Sequence, residues 1–194
     1  MGSVTDNPLV VDGRVLSGGN FHGQALSFAF DSAAGALTAL ANVSERRTFQ
    51  VTAGIAPRLK PFLSRDPGVE SGYMIAQYVA AALASENKTL AHPASADSVP
   101  TSANKEDFVS MGMWSALKFK KVVWNAAQVA AIELVCAAQA LDFHKPLKSG
   151  KGVEAWLAVL RTKVKPTKGD EVLSGRLEAA RELILSGAFD SALK

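Results

Sequence analysis

The sequence predicts an all-α protein, a bundle of long helices carrying one short β-hairpin near its N-terminus. Three observations lead there. Apolar residues recur at helical spacing through most of the chain from residue 23 onward. Alanine is abundant and aromatic residues make up only 7%, a composition suited to closely packed helices rather than a β-sandwich. Strand signals are confined to the neighbourhood of Asp12-Gly13.

Composition sets the outer bounds. The 194 residues suffice for a single domain, 1–194, with a substantial core. With 48% hydrophobic and 20% charged residues the chain is globular and not disordered. A net charge of +3 without a basic, aromatic-interleaved stripe argues against a nucleic-acid partner. The small basic run Lys118, Lys120 and Lys121 reads as a solvated helix face. The single cysteine, Cys136, lies in an apolar helical run, so no internal disulfide is possible and no nucleophilic thiol is expected. The N-terminus shows no basic-then-apolar signal pattern, and the longest apolar runs are broken by Ser, Glu, Asn or Gln. A cytoplasmic protein, neither membrane-spanning nor metal-binding, is therefore expected. His22, His92 and His144 are too scattered for a ligand cluster and read as surface or capping residues.

The elements follow in chain order. Pro8-Leu9-Val10-Val11, Asp12-Gly13 and Arg14-Val15-Leu16 form two short strands around an Asp-Gly turn. Gly18-Gly19 permits positive φ and a close backbone approach, or simply a turn. From about Gly23 to Asn42, Leu26, Phe30, Ala33, Leu37 and Leu40 share one helical face. Ser44-Glu45-Arg46-Arg47 reads as a fresh helix start with its charges outside, and residues 51–71 as loop. Tyr73 to about Leu90 is a helix apolar on most sides, which predicts burial in a large core or an oligomer. Val109 to about Leu141 reads as one helix spanning roughly 45–50 Å. A globule of this length has a radius of gyration of only about 16 Å, so such a helix suggests a bundle with a partner. Its second half, Ala126 to Ala140, is apolar nearly all round. Pro146, Gly150 and Gly152 break the chain before short helices at about Val153–Val164 and Ser174–Ser186, the latter with Leu177, Ala180, Leu183 and Ile184 inward and Gly187 as C-cap.

Between the two apolar helices lies the polar stretch 86–111, with Pro93, Pro100 and the knot Asn104-Lys105-Glu106-Asp107. Loops this polar must satisfy their own backbone groups. Rigid loops of that kind often carry function, the alternative being a solvated connection.

Several motifs appear in a recognisable order: Ser3-Val4-Thr5-Asp6-Asn7-Pro8-Leu9-Val10, Ser17-Gly18-Gly19-Asn20-Phe21-His22-Gly23-Gln24, Ser44-Glu45-Arg46-Arg47, Ser71-Gly72-Tyr73-Met74-Ile75-Ala76-Gln77, Ser85-Glu86-Asn87-Lys88, His92-Pro93-Ala94-Ser95 and Pro100-Thr101-Ser102-Ala103-Asn104. Together they strongly resemble the aromatic amino acid ammonia-lyases, the histidine, phenylalanine and tyrosine lyases with the related aminomutases. The resemblance runs from residue 3 to about 143 and more loosely to the end. It implies a hairpin and pocket loop over 3–22, bundle helices and the central polar loop over 23–143, and small C-terminal helices over 144–194.

Further expectations follow from the resemblance alone. Family members are about 500 residues or longer, and this chain matches their C-terminal part, starting abruptly at Met1-Gly2 inside the family sequence. The family's electrophile is a methylideneimidazolone group formed from an Ala-Ser-Gly tripeptide, which occurs nowhere here; the group is expected on an N-terminal part, as are the family's catalytic tyrosine and its Tyr-x-x-Arg segment. Phe21 matches the phenylalanine lining the pocket around the substrate ring. Asn104, Lys105 and Glu106 match the Asn-Gln-Glu-type segment facing substrate and prosthetic group. Glu106 is the candidate catalytic residue, binding the substrate amine or moving a proton, with a surface ion pair as the alternative. Lys105 departs from the commoner glutamine, and Phe108 stands where histidine lyases often have histidine. The family site is assembled from three subunits of a tetramer, with helix N-termini aimed at it. The implied partners are further copies of this chain or an N-terminal-half subunit of a split lyase. The implied role is to supply pocket and interface, inactive alone; the alternative is a non-catalytic oligomerising scaffold derived from the family.

Overall fold

The structure is a computed structural model that describes residues 4–193; Met1, Gly2 and Ser3, with which the first motif begins, lie outside the described residues. Five α-helices dominate, preceded by a two-stranded hairpin. Strands β1 (Leu9–Val11) and β2 (Arg14–Leu16) pair antiparallel, with Leu9 opposite Leu16 and Val11 opposite Arg14. Asp12 (φ 50°) and Gly13 (φ 74°) both take positive φ, which matches the right-handed twist of the flanking strands. Gly18 and Gly19 do neither of the things their adjacency permits. Neither has positive φ, and a Cβ at either would meet open space, so they form an ordinary turn.

The helices are α1 (Gln24–Thr52), α2 (Met74–Leu90), α3 (Gly112–Phe143), α4 (Lys151–Arg161) and α5 (Ser174–Leu185). The C-terminal end of α5 is closed by Gly187 at φ 70°, whose N–H donates to the Ile184 carbonyl at 3.1 Å.

One expected boundary is wrong. Residues 44–47 do not start a new helix; α1 runs through them for 29 residues. Ser44 and Glu45 are buried. The Ser44 hydroxyl donates to Glu133 Oε2 at 2.5 Å, and Glu45 accepts from Arg46 and from Gln77 Nε2 at 2.8 Å. Ser-Glu is a helix-start signal only where its polar groups have no other partner. Here tertiary partners on α2 and α3 satisfy them.

The face that α1 buries also departs from its apolar pattern. Ser27, Asp31, Ala34, Thr38, Ala41, Ser44, Thr48 and Thr52 are buried along one stripe, whereas Leu26, Phe28, Leu40, Val43 and Phe49 are exposed. Two hydroxyls on this stripe are satisfied within the helix: Thr48 and Thr52 donate to the carbonyls four residues back, at 3.0 and 2.9 Å.

The described residues divide into two compact units. One holds the chain up to Ala36 together with Thr89–Val122, and the other holds Leu37–Lys88 together with the chain from Val123. The second unit contains a continuous apolar core to which all five helices contribute, including Ala41, Ala76, Ala80, Val129, Ile132, Val135, Leu160, Leu177 and Ala180. No residue of α3 from Ala126 to Phe143 is exposed, as its all-round apolar character requires. Cys136 is fully buried there, and burial pushes its thiol up to about 12, which leaves it protonated and inert. On α2 only the stripe of Ala76, Ala80, Ala84 and Asn87 is buried, while Ile75 and Tyr78 remain exposed.

By length and hydropathy alone α1 and α3 are each capable of crossing a membrane. Half of the apolar window of α3 is buried inside the protein, and α1 carries Asp31 and Glu45 on its buried stripe. Charges in such positions are costly in hydrocarbon, and here they meet protein partners.

Candidate active site

The candidate site lies in the unit built around residues 4–36 and 89–122. Its centre is the turn 101–106. Thr101 and Glu106 form an isolated antiparallel bridge, Thr101 N–H donating to the Glu106 carbonyl at 2.9 Å and Glu106 N–H to the Thr101 carbonyl at 3.3 Å. Between them Ser102 (φ 54°), Ala103 (φ 53°) and Asn104 (φ 69°) all occupy the left-handed region, and none is glycine. Each such residue costs on the order of 1–2 kcal/mol. Three in succession persist only where the surroundings over-determine them, a condition met most often at functional sites. The result is a rigid corner on which Asn104, Lys105 and Glu106 are all exposed. Among the described residues Lys105 and Glu106 form no ion pair with each other, so both head groups are free for other partners.

Phe21 is 53% exposed and therefore not a core aromatic. It meets the His22 ring edge-on, with centroids 6.4 Å apart. His22 in turn stacks on Phe108 at 5.4 Å, with an interplanar angle of 7°. The His22 hydrogen bonds define its neutral tautomer. Nδ1 accepts the Gln24 N–H at 3.3 Å, so Nε2 carries the proton and donates to the Phe108 carbonyl at 3.0 Å. His22 thus caps the start of α1 and ties the Phe21 segment to the extended segment leaving the 101–106 turn.

The loop that carries the turn is also fixed at its entry. The Ser95 N–H donates to Asp31 Oδ2 at 2.7 Å, Gln24 Nε2 donates to the Ser95 carbonyl at 3.0 Å, and Lys118 Nζ donates to the His92 carbonyl. Lys118 Nζ also lies 3.7 Å from Asp31 Oδ1. This corrects the expectation of a solvated face for Lys118 alone, since Lys120 and Lys121 are exposed: Lys118 is only 8% exposed, and an ammonium that deep requires its carboxylate. Burial pushes the Asp31 carboxyl up, but hydrogen bonds from the Ser95 backbone and from the Ser95 and Ser115 hydroxyls, with the Lys118 charge, outweigh it and hold the group below its ordinary value of 3.8. Beneath the pair, the Ser27 and Ser115 hydroxyls share a hydrogen bond of 2.8 Å.

A concavity of about 820 Å³ in the same unit is lined by His92, Asp97, Trp114 and Lys118 among others, and none of Phe21, Asn104, Lys105 and Glu106 lines it. Those four residues face outward. A corner that displays polar and aromatic groups without enclosing them is the expected form of a site completed by other protein.

A family model described as aromatic amino acid lyase matches residues 1–162. The chain belongs to the aromatic amino acid lyase family. Histidine ammonia-lyase of Symbiobacterium thermophilum is 48% identical over 196 residues, covering 100% of this chain and 39% of its own length. That of Gloeobacter violaceus is 50% identical over 188 residues, covering 95% and 37%. Among solved structures, histidine ammonia-lyase from Trypanosoma cruzi matches with a TM-score of 0.92 and 44% identity over 97% of this chain and 38% of that one. Tyrosine aminomutase from Streptomyces globisporus matches with a TM-score of 0.89 and 35% identity, over 97% and 36%. The chain therefore spans under two-fifths of the length of these relatives, and what it matches is their C-terminal portion.

Sequence reasoning singled out Phe21, Asn104, Lys105 and Glu106, and the structure gathers them in one unit, the last three on one turn. His22, expected as a surface or capping residue, does cap α1 and in addition stacks on Phe108, while the roles of Asp31 and Lys118 were not anticipated. A signal was present for Asp31, the one charged residue between Gly23 and Ser44. A lone charge in an otherwise apolar helix implies a buried partner.

Proposed function

We propose that this chain is the C-terminal component of an ammonia-lyase that eliminates ammonia non-oxidatively from histidine or another aromatic amino acid, and that it is inactive alone. The observation that carries this is the left-handed turn 102–104, which spends backbone strain to display Asn104, Lys105 and Glu106 in the same unit as Phe21. Phe21 offers its exposed ring to the substrate's ring. Glu106, with no partner for its carboxylate among the described residues, binds the substrate ammonium or takes up a proton. Asn104 and Lys105 contact the substrate beside it, and Lys105 adds a positive charge suited to a carboxylate.

The family's methylideneimidazolone does not fit these residues as its holder. Its Ala-Ser-Gly precursor is absent from all 194 residues, so the electrophile has to come from protein outside this chain. What this chain does for the reaction is bind, orient and exchange protons at the Glu106 carboxylate. The partner is a further copy of the chain or an N-terminal-half subunit. Exposed Leu26, Phe28, Leu40, Val43 and Phe49 on α1, with Met113, Trp114 and Leu117 on α3, support an oligomer surface, since apolar areas of this kind mark interfaces. A cytoplasmic setting accords with the single, unpaired, buried cysteine.

The test is ultraviolet absorbance of urocanate or arylacrylate formation from histidine, phenylalanine and tyrosine. The chain alone gives no product, and addition of a separately expressed lyase portion containing Ala-Ser-Gly gives product. Product from the chain alone, or none from a stable assembly, overturns the proposal.

A further inference from the structure

The strain at 102–104 requires something to hold it, and the loop that carries it is hydrogen-bonded at both ends, to helices α1 and α3 at its entry and to His22 and its own Ser98 at its exit. On the exit side the anchors are His22 Nε2 to the Phe108 carbonyl at 3.0 Å and the Val109 N–H to Ser98 Oγ at 2.9 Å. On the entry side all three anchors meet in one buried polar cluster: Asp31 holds the Ser95 N–H, Gln24 the Ser95 carbonyl and Lys118 the His92 carbonyl. Asp31, Ser95 and Lys118 are each 8% exposed, and Ser27 and Ser115 are fully buried. Among the described residues, the apolar side chains buried in this unit are Ala34, Ala94 and Val122, too little to fix a loop by packing. The loop is therefore held by directional bonds, and the Asp31–Lys118 pair is their centre.

We propose that Asp31 and Lys118 are positioning residues of the lyase site: a buried ion pair whose task is to fix the entry of the 92–111 loop, so that the strained turn at 102–104 keeps Asn104, Lys105 and Glu106 in place. A pair retained for stability alone is a poor bargain, since desolvating two charges offsets most of their attraction and apolar substitutes often serve as well. A pair that bonds two separate backbone groups of one loop does what apolar side chains cannot. It selects one loop conformation by geometry. This inference rests on the reading of the 101–106 turn as a site, but it makes its own claim about which part of the protein the pair controls.

The test is residue-resolved amide hydrogen exchange on the protein in its native assembly, comparing Asp31→Ala, Lys118→Met and Asp31→Asn with the parent. The hydrogen-bonded amides of Ser95, Thr101, Lys105 and Glu106 report on the loop, and those of Val129 to Ala140 on the apolar core. Asp31→Ala and Lys118→Met each speed loop exchange about tenfold or more while core exchange is unchanged, because local opening and global unfolding are separable. Asp31→Asn, which keeps an acceptor for the Ser95 N–H but leaves Lys118 without its carboxylate, restores only part of the protection lost in Asp31→Ala. Equal acceleration of loop and core, or no acceleration of the loop, overturns the proposal. Should Asp31→Ala fail to fold, Lys118→Met, which keeps the apolar stem, decides it. A loop that loosens as stated in an assembly without lyase activity would count against the proposed function and leave the positioning role standing.

Discussion

In the unit that runs Leu37–Lys88 and onward from Val123, the side chains hidden from water include Val129, Ile132, Val135, Leu160, Val164 and Phe189, a continuous apolar cluster. In the unit that carries the candidate site they are, among the described residues, Ser27, Asp31, Ser95, Ser115 and Lys118, with Ala34, Ala94 and Val122 as apolar company. The first arrangement tolerates small displacements, because burial is non-directional. The second does not, because each hydrogen bond fixes a distance and an angle. The proposed site, which needs Glu106 held at one position, sits on the second kind of support, and stability is best supplied by the first.

Substitutions can break this comparison or sharpen it. Ile132→Ala empties a fully buried site in the apolar cluster and is expected to cost about 3–4 kcal/mol in denaturant unfolding. In the site-bearing unit, Ser115→Ala leaves the buried Ser27 hydroxyl without its partner, at a cost of about 1–2 kcal/mol by the same measurement. If the two variants lost equal stability, the division of labour would fail.

Acid gives a smaller effect. The Asp31 and Glu45 carboxyls both sit below their ordinary values of 3.8 and 4.5 in the folded protein. For Asp31 the hydrogen bonds and the Lys118 charge outweigh burial; for Glu45 the Arg46 hydrogen bond is the largest cause. A carboxyl whose folded value is depressed contributes stability that is complete above its unfolded value and lost as pH falls through the folded one. Unfolding free energy is thus expected to be level above the ordinary carboxylate values and to decline below them. Ser115→Ala removes one of the bonds lowering Asp31, so its decline, which starts at the same unfolded-state value, is smaller and ends at higher pH, which denaturant unfolding at a series of pH values would show. Smallest of all, Met113→Ala, at a side chain 75% exposed, is expected to change the chain's own stability by less than about 0.5 kcal/mol.

The same contrast governs what could be read from the sequence. The hairpin was legible in Asp12-Gly13, the end of α5 in Gly187, and the burial of α3 from Ala126 onward in its all-round apolar pattern. These are local signals or matters of burial. The continuity of α1 was not legible. The partner that lets Ser44 sit mid-helix is Glu133, 89 residues away. Nor was the buried role of Lys118, which depends on Asp31 and on the His92 carbonyl. The ordered motifs picked out Phe21 and Asn104 to Glu106, but the three left-handed residues that present them have no local signature, since none is glycine. Directional support is a property of distant pairs, and a linear pattern does not display it.

The central claim is that the 101–106 turn serves chemistry while stability resides elsewhere. Glu106→Gln in the assembled lyase tests it most directly, with turnover and the unfolding midpoint measured on the same preparation. Glu106 is exposed and its side chain has no partner among the described residues, so the stability change should stay within about 0.5 kcal/mol. Loss of its carboxylate should lower turnover by about a hundredfold or more, the scale of a general acid–base group. Turnover and midpoint falling together, or turnover left intact, would contradict the account.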